Sequence, residues 1–252
     1  MPKIGNTGDN EVYQVAGSNF TFQGARLTHL GATEYTLVTI AVDVTGSTAP
    51  FAKELRDMLV AAVESCKKSP RSDNLLVRAV TFSTTFRDGI NELHGFKLLR
   101  DINPQTDYPQ FMPDGMTPLY DAVYSAVEAM VEYGGELMKN DFPANGIVLI
   151  ITDGLNNQSL TTPRMIKEQI EKVRREEKLE SLVTVLVGVN AQQFRPELDK
   201  FRIDADLTHY IDMGDVTPGK LARLGGFISR SVSSQSQALG TGGPSQQIKA
   251  TI

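Results

Sequence analysis

Four near-continuous apolar runs constrain this chain more than anything else in it: YTLVTIAV from Tyr35, LLVRAVTF from Leu75, IVLIIT from Ile147 and LVTVLVGV from Leu182. A strand with one solvated face alternates apolar and polar residues, whereas runs like these fit strands covered on both faces, as in a parallel sheet. Between the runs lie segments of helical period. Phe51, Leu55, Leu59, Ala62, Val63 and Cys66 share one face behind Pro50, which suits a first helical turn. Thr117-Pro118 opens a second helix with Leu119, Val123, Val127 and Met130 inward, ended by Gly134-Gly135. Thr162-Pro163 opens a third, with Met165, Ile166, Ile170 and Val173 inward and a solvated Glu/Lys/Arg face. Strands alternating with helices mean βαβ units with right-handed crossovers. The expected fold is therefore α/β: a doubly wound, mostly parallel sheet with helices on both faces.

The segments outside these units are less regular. Residues 1–17 are polar and Gly-containing and read as a flexible arm, residues 18–232 as the globular domain, and residues 233–252 as a disordered tail. Phe20-Thr21-Phe22 reads as a short edge strand, and 86–99 as short strands or turns at a sheet edge. Three prolines make 101–116 a long ordered loop, a kind of segment that is commonly functional. A short helix at 194–201, an edge strand at 209–213 and a closing helix at 217–232 complete the reading. No internal repeat is visible.

Composition excludes several function classes. A net charge of −5 with no Lys/Arg block speaks against nucleic acid or an anionic membrane as principal partner. No run approaches the roughly 18 apolar residues of a membrane span. The opening MPKIGNTGDNE has no apolar signal region, and a cytoplasmic protein is the expectation. A single cysteine rules out an intramolecular disulfide and any multi-cysteine metal site, and Cys66 on its apolar stripe reads as a packed core thiol.

The first apolar run ends in Asp43-x-Thr45-x-Ser47, with oxygen-bearing side chains at every second position and Gly46 allowing a bend. Such residues also furnish ordinary loops and helix caps, so the triplet alone is a weak signal. Asp153 follows the third run and Thr117 opens the second helix. In doubly wound sheets ligands bind beyond the carboxyl ends of the strands, where the strand order reverses. Three distant segments thus bring oxygen donors to one sheet edge. Carboxylate and hydroxyl donors suit Mg²⁺ or Mn²⁺.

These residues resemble the metal-ion-dependent adhesion site (MIDAS) of von Willebrand factor A (VWA) domains, whose pattern is D-x-S-x-S, a later Thr, and an Asp after a buried strand. Thr45 stands where Ser is usual and keeps the hydroxyl. The resemblance covers roughly residues 35–230 and implies a Rossmann-like VWA fold. It also implies hydroxyl ligands from Thr45, Ser47 and Thr117, and Asp43 and Asp153 acting directly or through water. By resemblance the bound ion is completed by an Asp or Glu of a partner protein, and the domain is not an enzyme. The chain looks most like bacterial intracellular, stand-alone members associated with tellurium-resistance-type stress systems or AAA+ ATPases.

Rival readings are a metal-dependent phosphohydrolase with Asp43 as nucleophile, and a scaffold domain whose metal is structural or absent. The G-x-G-x-x-G and G-x-x-x-x-G-K-[ST] phosphate loops are absent. His29, His94 and His209 are isolated and read as satisfied histidines rather than ligands. Tyr108, Phe111 and Met112 either rim the metal or plug the core, and Asp114 reads as a turn residue.

Overall fold

The computed structural model describes residues 3–7, 10–15 and 21–215, with scattered residues of 217–231. Nine strands form one sheet in the order β1-β2-β3-β6-β5-β4-β7-β8-β9. The strands are β1 (Lys3–Thr7), β2 (Asn10–Gln14), β3 (Thr21–Ala25), β4 (Tyr35–Asp43), β5 (Leu75–Phe82), β6 (Ile90–Leu98), β7 (Ala144–Thr152), β8 (Ser181–Val189) and β9 (His209–Gly214). The helices are α1 (Ala52–Lys67), α2 (Pro104–Asp107), α3 (Leu119–Lys139), α4 (Pro163–Glu176) and α5 (Arg195–Asp204). Strand β4 pairs in parallel with both β5 and β7, and β8 and β9 continue the parallel set. This is the expected α/β architecture, a doubly wound, mostly parallel, Rossmann-like sheet with helices on both faces.

The apolar runs are buried on both faces because alternate residues enter two cores. Leu37 and Ala41 of β4, with Val148 and Ile150 of β7, meet the inner faces of α3, α4 and α5. Val38, Ile40 and Val42, with Ile147, Leu149 and Ile151, meet Leu55, Met58, Leu59, Ala62, Val63 and Cys66 of α1. At roughly 25 cal/mol per Å² of apolar surface removed from water, these two layers dominate the fold's stabilisation.

Several expectations need correction. The segment 1–17 is not a loose arm over its described residues: β1 and β2 pair antiparallel, and β2 pairs with β3. Tyr13 is 1% exposed, stacks on Phe22 at 5.4 Å and meets Tyr133 edge-on at 5.5 Å. The described residues before position 18 therefore belong to the sheet. Neither β3 nor β6 is an edge: β6 runs antiparallel to β5 and parallel to β3. Helix α3 does not stop at Gly134-Gly135 but runs to Lys139. A Cβ on Gly134 would fall 2.4 Å from Leu179 Cδ2, so this glycine serves a close approach and not a helix end. Met165 is 39% exposed, on the rim of α4 rather than its inner face. The tail 233–252 and part of the expected closing helix 217–232 lie outside the described residues, while Leu224 and Phe227 are buried. Among the described residues no helix is long and apolar enough to cross a membrane.

Candidate metal centre

The strand order reverses at β4: the chain leaves it on one side through β5 and β6, then returns through α3 to β7 on the other. The carboxyl ends of β4 and β7 therefore flank the crevice in which doubly wound sheets bind ligands. Asp43 is the last residue of β4, and Asp153 follows the last residue of β7.

The structure brings all five expected residues into one hydrogen-bonded chain. Asp43 Oδ1 accepts from the Thr45 amide at 2.9 Å and the Thr45 hydroxyl at 2.6 Å. Thr45 Oγ1 and Ser47 Oγ lie 3.3 Å apart, and Ser47 Oγ donates to Asp153 Oδ1 at 2.9 Å. Thr117 Oγ1 donates to Thr45 Oγ1 at 3.3 Å across 72 residues of sequence. Asp43, Thr45 and Thr117 are buried, Asp153 is half-buried and Ser47 is exposed, so the cluster opens outward at Ser47.

Three further residues position the set and were missed in the sequence. Thr152 donates to Asp43 Oδ2 at 2.7 Å, so both oxygens of that carboxylate are engaged. Asn157 grips Thr117 from both sides: its Oδ1 accepts from the Thr117 backbone amide at 2.8 Å and its backbone N–H donates to the Thr117 carbonyl at 3.1 Å. Ser159 Oγ accepts from the Tyr120 and Asp121 amides at 3.1 and 3.2 Å, capping α3, whose own N-cap Pro118 offers no side chain for this. The signal for Asn157 and Ser159 was the amide- and hydroxyl-rich LNNQS after Asp153, which also matches any loop.

The loop before α3 is held just as firmly. The Asp114 amide donates to the Val44 carbonyl at 3.1 Å and the Gly46 amide to the Gly115 carbonyl at 3.1 Å. Gly115 has φ +77°, and a Cβ there would lie within 2.9 Å of Ser83, Thr84 and Thr85 side-chain atoms. Asp114 is a turn residue: its Oδ1 accepts from the Gly115 amide at 2.7 Å. Tyr108 and Phe111 plug the core, and of the three only Met112 is exposed, at 84%. His94 is satisfied, with Nε2 3.0 Å from the Tyr108 hydroxyl and Nδ1 2.8 Å from the Gly95 carbonyl, and burial pushes its pKa down to about 4.

Burial raises the Asp43 pKa to about 6, against the hydrogen bonds from Thr45 and Thr152, which lower it. Burial also raises that of Asp153, against the bond from Ser47. No Lys, Arg or His touches either carboxylate among the hydrogen bonds described. The donor set fits a hard divalent ion. Mg²⁺ bonds of 2.0–2.1 Å imply adjacent ligand oxygens roughly 2.9 Å apart, close to the 2.9–3.3 Å spacings along Thr117, Thr45, Ser47 and Asp153. Among the described residues no group of three or more His, Cys, Asp or Glu assembles, so no softer or more acidic cation site competes with this one there.

No protein-family model and no curated protein sequence matches the chain. Solved structures do resemble it. The pilus adhesin SpaC of Lactobacillus rhamnosus GG aligns with TM-score 0.55 and 11% identity over 92% of this chain and 36% of its own. Proximal thread matrix protein 1 of the mussel byssus aligns with TM-score 0.50 and 16% identity over 79% of this chain and 46% of its own. The chain thus spans less than half the length of either protein. At these identities the likeness is one of fold.

Proposed function

We propose that this chain is a VWA module that binds a partner protein through a divalent cation, Mg²⁺ or Mn²⁺, held by Asp43, Thr45, Ser47, Thr117 and Asp153. One observation carries the reading: three hydroxyls and two acids from three distant segments form a single connected cluster at the sheet's switch point. Hydroxyl ligands leave a divalent ion much of its charge, and five positions leave one of six for an outside group. An Asp or Glu of the partner is the protein group that fits there. A binding module is favoured over a phosphohydrolase because Asp43 is fully buried with both oxygens accepting hydrogen bonds, which suits an orienting anion and not a nucleophile. Sequence resemblance supports the narrower reading as a bacterial intracellular member acting beside stress or AAA+ ATPase systems.

The experiment is affinity capture in Mg²⁺ and in EDTA, followed by neutralisation of each interface acid of the captured protein. Binding should disappear in EDTA, return with Mg²⁺ or Mn²⁺, and depend on one Asp or Glu whose Asn or Gln counterpart fails. A partner held equally well in EDTA contradicts the proposal.

A further inference from the structure

Beside the metal cluster, on the α3 side, lies a cavity of about 480 Å³. That volume is within the roughly 300–1,000 Å³ of small-ligand sites. Ile90, Pro118 and Leu160 form apolar wall, and Pro118 is joined by its peptide bond to Thr117. Cavity and metal cluster therefore share a wall. The loop that forms the far side is fixed: Asp121 accepts from the Leu160 and Thr161 amides, at 3.1 and 2.8 Å, and from the Thr161 hydroxyl at 2.7 Å. Leu160 is nonetheless 94% exposed.

The charged groups lining this cavity are of one sign. Asp88, Asp121 and Glu128 line it, and no Lys, Arg or His does so among the described residues. Glu128 is 3% exposed, with the Tyr124 hydroxyl and Lys172 of α4 as neighbours. Ser125, 5% exposed and also lining the cavity, has a buried hydroxyl with no hydrogen-bond partner. Such an orphan is uncommon and asks for a ligand group. A long apolar stem ending in a cation satisfies both halves of the lining, as when Lys or Arg lays its methylenes on apolar surface and pairs its head.

We propose that this cavity is a second anchor of the docking face, receiving an Arg or Lys side chain of the partner whose carboxylate reaches the metal. The proposal rests on the metal-dependent reading for the identity of the partner, but the cavity's chemistry stands by itself. The recognised surface would then be an acid and a base presented together, a sharper requirement than a carboxylate alone.

The test uses n-propylguanidinium as a mimic of the Arg head, titrated into ¹⁵N-labelled protein in Mg²⁺ and in EDTA. Expected are saturable shifts of the Asp121, Ser125, Leu160 and Thr161 amides in both conditions, at least fivefold weaker for neutral N-propylurea. Glu128→Gln should weaken the guanidinium response at least threefold and leave propylurea unchanged. Asp88→Asn, at an exposed position, should weaken it less and gives a second variant free of core effects. Absent saturation, equal response to propylurea, or indifference to both variants overturns the proposal. Acetate titrated in parallel separates the two ideas: it should shift residues around Thr117 only when Mg²⁺ is present. Loss of the acetate response with the guanidinium response intact sinks the metal reading alone, and the reverse sinks the cavity proposal alone.

Discussion

Asp43 carries a charge that the metal-free fold holds at a cost. Burial raises its pKa from 3.8 to about 6, so the folded protein binds this proton more tightly than the unfolded chain does. Stability from this group is complete at low pH and is lost as pH rises from about 4 through 6, by up to about 3 kcal/mol. His94 acts in the opposite sense: with its pKa lowered to about 4, stability is lost as pH falls from 6.5 toward 4. Comparison with a variant separates the two. Asp43→Asn can be accommodated, because the new amide can donate to Thr152 while the Thr152 hydroxyl donates to the Gly154 carbonyl, 3.3 Å away. In EDTA at pH 7.5 this variant should melt above wild type, the gap should close near pH 4, and Mg²⁺ should no longer raise its melting temperature. A variant that melts below wild type at pH 7.5 contradicts the assignment of that cost. Cys66, 1% exposed and with its thiol pushed up to about 12 by burial, should behave as plain core. Cys66→Ser should lose about 1–3 kcal/mol in urea unfolding and leave Mg²⁺ affinity unchanged. The five cluster residues were legible because the weak Asp43-x-Thr45-x-Ser47 triplet, with Thr117 and Asp153 after it in order, resembles the VWA metal-site pattern. Thr152, Asn157 and Ser159 were not. A threonine ending an apolar strand reads as strand, and amides in a loop read as loop, until the fold shows what they hold.

Element by element, legibility follows burial. The runs at β4, β5, β7 and β8 were readable because both faces of each strand are apolar. Strand β6 was not, since INELHGFKL mixes buried and half-buried positions and shows no clean period. Gly134-Gly135 misled because a glycine pair at the end of an apolar stripe is the usual helix stop. Here Leu179 and Lys178, just before β8, pack against the helix where side chains are missing. The two explanations predict opposite signs. Ala in place of Gly inside an exposed helix stabilises by about 1 kcal/mol. Gly134→Ala should instead destabilise, because its Cβ would meet Leu179 at 2.4 Å. A rise in the denaturation midpoint would remove the packing explanation.

Across the whole molecule, the N-terminal strands change what the domain is. Tyr13, Phe22, Phe96 and Tyr133 form one aromatic cluster, with Phe96 stacked on Tyr133 at 5.0 Å and the Tyr133 hydroxyl donating to the Ala25 carbonyl at 2.7 Å. The segment reads as an arm in the sequence because Tyr13 of β2 and Val15 just after it are too few buried apolar residues for a period-two pattern. If it belongs to the core, Tyr13→Ala should destabilise by about 3–5 kcal/mol. If it were an arm, the loss would be within about 0.5 kcal/mol. The fold should not require the cation, because both cores are built from the apolar faces of sheet and helices. Far-UV circular dichroism should be the same in EDTA and in Mg²⁺, with the ion adding about 1.4 kcal/mol at tenfold excess over its Kd.

The central claim is that Thr117, in the loop that leads into α3, joins Asp43, Thr45, Ser47 and Asp153 to hold a divalent cation. Isothermal calorimetry of Mg²⁺ or Mn²⁺ into wild type and Thr117→Ala tests it most directly, since that substitution deletes one hydroxyl while the backbone clamp from Asn157 persists. One ion per chain should bind wild type, with at least tenfold weaker affinity in the folded variant. No binding to wild type, or equal affinity in the two proteins, would contradict the account.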